Sequence, residues 1–151
     1  MEKIIKNKLN KLNILFFSLI SIVLILSFIV LYLKINLKYE DLVKPGSLLL
    51  YISPLTMIGV IMLNFHLYKK AVEKAQNITD EIQKLQLFFN TKILQYVLYG
   101  FAGIFASIGL LLEYRAPNIF ISVIILSFMI FSIATKKKFI NDFISEKEIL
   151  D

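Results

Sequence analysis

Four apolar runs, at residues 14–33, 48–68, 93–112 and 116–135, constrain this chain more than anything else in it. Each has about the twenty residues that a helix needs to cross about 30 Å of hydrocarbon. A bilayer core offers no water to the backbone, so a segment of this kind must satisfy its own polar groups, as a helix does. The sequence therefore predicts an all-α fold: an integral membrane four-helix bundle, built as a single four-span domain with a cytoplasmic segment at 69–91 and a cytoplasmic tail at 136–151. Hydrophobic residues make up 58% of the 151, above the roughly 45–50% of soluble domains. That excess is too large for the core of a small globule.

The first run carries no charge and only Ser18, Ser21 and Ser27 as strongly polar residues. Such serines bond to their own helix backbone, so they do not forbid insertion. Lys3, Lys6, Lys8 and Lys11 ahead of it resemble the start of a signal peptide. The run is longer than a signal core of about 7–15 residues, and Lys34-Ile35-Asn36-Leu37 after it offers no small-residue cleavage site. It is read as a retained helix. The second run follows the turn-forming Lys44-Pro45-Gly46-Ser47, and only Glu113, Tyr114 and Arg115 separate the third from the fourth. The last two spans thus make a tight antiparallel hairpin, and Pro117 suits the first turn of the fourth.

Basic residues set the orientation, because Lys and Arg are retained on the cytoplasmic side. One side collects the four N-terminal lysines, Lys69, Lys70, Lys74, Lys84 and Lys92 of the central segment, and Lys136, Lys137, Lys138 and Lys147 of the tail. The other side has Lys34, Lys38, Lys44 and Arg115, accompanied by Glu40, Asp41 and Glu113. This asymmetry predicts a cell (inner) membrane protein with both termini cytoplasmic. The formal net charge of +6 flanks apolar runs and does not line one polar face, which favours anionic lipid over nucleic acid as its counterpart.

In the central segment Ala71, Ala75, Ile78, Ile82, Leu85 and Phe89 recur at spacings of four and three, the stripe of an amphipathic helix or a helical hairpin. Asn77 and Thr79 interrupt it, and Asp80 and Glu81 suit the first turn of a new helix. The second and third helices are therefore expected to extend into a cytoplasmic helical hairpin that turns at 77–79. Asn77-Ile78-Thr79 also fits the glycosylation pattern, on the side where it is not used.

Candidate functional residues are few. On the third span Gly100, Gly103 and Ser107 fall on one side with Tyr96, and Ala102, Ala106 and Gly109 on the other. Small residues let helices approach closely within lipid, so this span should be the most enclosed, either within the bundle or across a homodimer. On the second span Ser53, Thr56 and Asn64 form a weak polar stripe, and Pro54 frees the carbonyl of Leu50. With Tyr96 and Tyr99 they form the candidate lining of a polar cavity. His66 is the only histidine, and no acidic residue lies inside a span, so neither a metal nor a cofactor site is expected. Glu113 and Arg115 sit at the boundary, where water reaches them. The absence of cysteine excludes disulfides, thiolate sites and cysteine nucleophiles.

After the basic stop Lys136-Lys137-Lys138, the residues Phe139, Ile140, Phe143 and Ile144 share one helical face, as in a short helix lying on the inner membrane surface. This ending, with the amphipathic approach to the third span, resembles an uncharacterised group of small four-span bacterial membrane proteins over about the last seventy residues. The resemblance implies topology and brings no activity. Asp80, Glu81 and His66 match no catalytic spacing, so the chain is not expected to be an enzyme. The expectation is a non-enzymatic oligomerising or accessory subunit of a membrane complex, in contact with the lipid bilayer and with its own copies or other membrane-protein subunits. The alternative is a small transporter or channel subunit, against which the lack of any charge inside the spans counts.

Overall fold

The computed structural model describes residues 2–36, 51–112 and 116–144, and these are all-helical. Five helices follow in order: α1 (Glu2–Ile35), α2 (Ile52–Gln76), α3 (Glu81–Leu112), α4 (Ala116–Phe131) and α5 (Lys136–Phe143). The 37–50 connection and Glu113, Tyr114 and Arg115 lie outside the described residues, as does the start of the second apolar run.

Helix α3 touches each of the other four. Along α1 the pairing keeps a constant offset: Lys8 donates to Gln86, Phe16 packs on Tyr96 with centroids 5.2 Å apart, and Ser27 and Ser107 share a 3.0 Å hydrogen bond. The two helices therefore run parallel. α2 runs the other way, with Tyr68 beside Lys92 and Asn64 beside Gln95. α4 is also antiparallel to α3, stacking Phe128 on Tyr99. The start of α1, the α2–α3 turn, the end of α4 and all of α5 thus gather at one end of the molecule.

The α2–α3 turn is closed by main-chain hydrogen bonds on one side and by a side-chain cap on the other. Asn77 and Ile78 N–H donate to the carbonyls of Lys74 and Ala75, closing α2, and the Asp80 carboxylate accepts from Ile82 N–H at 2.9 Å, opening α3. Of the apolar stripe, Ala71, Ala75 and Leu85 are buried, whereas Ile82 faces out. The cover comes from a third helix, since Ile5, Leu9 and Leu12 of α1 join the same core.

Helix α4 ends at Phe131, short of the expected 135. Ser132 Oγ donates to Met129 O, and Ala134 N–H donates to the Tyr96 hydroxyl at 2.7 Å instead of continuing the helix. Thr135 then caps α5 by accepting from Lys138 N–H. The chain bends by 78° between α4 and α5. This bend changes the role of the tail: Phe139 and Phe143, expected to face lipid, are buried against Phe88 at 5.4 and 5.1 Å. Folded back across the α2–α3 hairpin, α5 covers an aromatic ring that would otherwise lie open.

Outward faces are strongly apolar: Ile14, Phe17, Ile25 and Phe28 on α1, Leu55, Met62 and Phe65 on α2, Phe101 on α3, and Phe120 and Phe131 on α4 are all exposed. Among the described residues two helices, α1 over Lys3–Ile35 and α3, are long and apolar enough to cross a membrane, and the bent α4–α5 pair is a third if taken as one span.

Candidate functional site

Phe88, Lys92, Gln95 and Tyr99 recur at three- and four-residue spacing on α3 and so share the face turned toward α2 and α4. Lys92 is only 3% exposed. A buried ammonium is costly unless it is paired or hydrogen-bonded, and this one is well provided. Its Nζ donates to Gln95 Oε1 and to the main-chain carbonyl of Ser132, both at 3.0 Å, and lies 4.5 Å from the centroid of the Tyr68 ring. Gln95 Nε2 in turn donates to the carbonyl of Asn64 at 3.5 Å. One polar chain thereby ties α2, α3 and the end of α4 together.

The Ser132 carbonyl belongs to the negative end of the α4 dipole, where the last carbonyls have no partner within the helix. Lys138 serves the same end from α5, with Nζ donating to the carbonyls of Phe131 and Ile133. Two ammonium groups therefore occupy three successive carbonyls. Burial pushes the Lys138 ammonium below the usual lysine range, and the Asp142 carboxylate acts in the opposite direction. Asp142, one turn beyond Lys138, accepts from the Tyr68 hydroxyl at 2.5 Å.

These side chains face a cavity of about 310 Å³. Its lining combines the polar Lys92, Gln95, Ser132, Lys138, Asp142 and Tyr68 with the aromatic Phe65, Tyr99, Phe128 and Phe131. The cavity lies at the same end as the α2–α3 turn.

Of the residues expected to line a polar cavity, Tyr99 lines this one. Tyr96 is buried, its hydroxyl used by Ala134 and its ring by Phe16. Asn64 is fully buried, and neither amide atom of its side chain has a partner among the described residues. Thr56 lies half-buried on α2; the Ser53 side chain lies outside the described residues. The small-residue set on α3 is buried throughout: Gly100, Gly103 and Ser107 face Leu19, Val23 and Ser27 of α1, and Ala102, Ala106 and Gly109 are enclosed as well. His66 is exposed, in a shallow depression with Lys69, Lys70 and Glu73.

Sequence reasoning missed Lys92 by counting it among the solvated basic residues just ahead of the third span. The available signal was its place in the Phe88, Gln95 and Tyr99 series, which extends the buried face of α3 past the apolar run. Asp142 was missed because nothing in the fourth run announces the bend that brings α5 back. Comparison of the chain with protein-family models, with curated proteins and with solved structures finds no match.

Proposed function

We propose that this chain is a four-span protein of the cell (inner) membrane, a four-helix bundle with both termini and the α2–α3 turn in the cytoplasm. It acts through helix contact, as a homo-oligomer or an accessory subunit of a membrane complex, and not by catalysis. The apolar outer faces support insertion, and the antiparallel packing of α2 along α3 supports a crossing of α2 beside it. The orientation draws on the basic residues gathered at one end.

The observation that carries the contact reading is the outward face of α2. Gly59 lies there with nothing among the described residues within 4 Å of where a Cβ would stand, between the exposed Leu55, Met62 and Leu63. The small residues of α3 are consumed inside the chain, whereas this notch is not. A glycine flanked by large apolar side chains suits the close approach of another membrane helix. The test is cross-linking in native membranes through a cysteine at Met62, in a chain with no other cysteine. Cross-linked dimers, or a cross-linked partner subunit, that Gly59→Leu abolishes are expected. A monomer that neither cross-links nor co-purifies with another protein, and that shows an activity of its own, overturns the reading.

The transporter or channel alternative draws on the cavity, since it sets a buried cation where the sequence suggested none. An ion or solute flux through reconstituted protein that Lys92 substitution abolishes would favour it over the contact reading.

A further inference from the structure

We propose that the cavity between α2, α3, α4 and α5 binds the phosphodiester head group of an anionic phospholipid, through Lys138 and the buried Lys92. This rests on the membrane reading above. The cavity volume, about 310 Å³, is at the small end of ligand pockets; it suits a head group and leaves no space for whole acyl chains. Those have a surface of their own. Phe65 and Phe131, which line the cavity, are 62% and 76% exposed and belong to the outward apolar face. A ligand that is anionic at one end and apolar at the other matches this wall and its rim together.

Charge selects the head group further. Lys92, Lys138 and the Asp142 carboxylate face the cavity, and with both lysines protonated the net is one positive charge. Each ammonium has three donors. Lys138 gives two to the carbonyls of Phe131 and Ile133, and Lys92 gives two to Gln95 and Ser132 while its third meets the Tyr68 ring. One Lys138 donor remains for an anionic oxygen of a singly charged phosphodiester, while Lys92 supplies charge. Asp142, already committed to the Tyr68 hydroxyl, repels a second negative charge.

The experiment uses the full chain in bilayers of phosphatidylcholine containing a minor share of phosphatidylglycerol, extracted in mild detergent and weighed intact by native mass spectrometry. Retained phosphatidylglycerol is expected to exceed its share of the bilayer by about fivefold, the factor one basic residue contributes at an anionic surface. Lys138→Gln keeps an N–H donor for the α4 carbonyls and removes the charge; it should lose most of that enrichment. Lys69→Gln, on an exposed side chain outside the cavity, should keep it. No enrichment in the natural chain, equal enrichment in Lys138→Gln, or loss with Lys69→Gln overturns the proposal. Displacement of the lipid by millimolar inorganic phosphate also overturns it, by making the site one for the free ion. Resistance of the protein to alkaline extraction is read in parallel. A missing preference with insertion intact defeats the head-group site alone, whereas a chain released by alkali defeats the membrane reading on which it stands.

Discussion

Lys92 of α3 donates a 3.0 Å hydrogen bond to the main-chain carbonyl of Ser132, the point where α4 gives way to the bend before α5. A buried ammonium thus completes the C-terminal end of a different helix. Lys92→Met removes the donor from the Ser132 carbonyl and from Gln95 Oε1 together, and unsatisfied buried acceptors cost about 1–3 kcal/mol. Thermal unfolding in detergent is expected at a lower temperature for this variant. Lys137→Met, at an exposed position in the same basic run, should unfold with the natural chain. Equal melting of all three would remove Lys92 from the architecture.

The contact between α1 and α3 discriminates two glycines three residues apart. A Cβ at Gly103 would stand 2.7 Å from both Cγ atoms of Val23, whereas one at Gly100 would meet Leu19 Cδ2 at 3.4 Å, an ordinary contact. Val is stiff at χ1 and cannot swing clear. Gly103→Ala is therefore expected to destabilise by about 1–3 kcal/mol, the usual penalty of overpacking, and Gly100→Ala to be tolerated. If Gly100→Ala lowered the melting temperature more than Gly103→Ala, the register of the two helices would be wrong.

Helix type and approximate extent were legible because apolar runs and basic flanks report solvent directly. The 77–80 turn was legible too, since the Asp80 side chain caps its own neighbour Ile82. The end of α4 was not. No proline or glycine stands at 131–135, and the helix stops because Tyr96, thirty-eight residues earlier, takes the N–H of Ala134. That information lies in tertiary contact. The same holds for Lys92 and Asp142: a lysine beside a span reads as solvated until the segment that buries it is known. Small residues on α3 stood out in the sequence, but their partners on α1 could not be named, because a helix stripe does not say which helix it meets.

The Tyr96 hydroxyl provides a second test of the same bend. It accepts the Ala134 N–H at 2.7 Å, with both residues almost fully buried. Tyr96→Phe keeps the ring against Phe16 and leaves that N–H without its acceptor. An orphaned buried N–H costs about 1–3 kcal/mol, so the melting temperature should fall. Tyr32→Phe, at an exposed position, should not lower it. An unchanged Tyr96→Phe would mean that the bend is held by the two lysines alone.

The parallel pairing of α1 with α3 makes topology testable at two points instead of one. Because Lys8 lies beside Gln86 and Ser27 beside Ser107, the start of α1 and the α2–α3 turn must lie on the same side of any membrane both helices cross. The orientation proposed above, which draws on the distribution of lysines, assigns that side to the cytoplasm. The natural chain has no cysteine, so single cysteines at Asn7, Asn77 and Asp41 can each be read without background. In intact cells a membrane-impermeant maleimide is expected to label the Asp41 position and to miss the other two, which become reactive once the membrane is permeabilised. Labelling at Asn7 and Asn77 but not at Asp41 would keep the pairing and invert the protein. Labelling at only one of Asn7 and Asn77 in intact cells would break the parallel pairing itself, and with it the enclosure of α3 by α1.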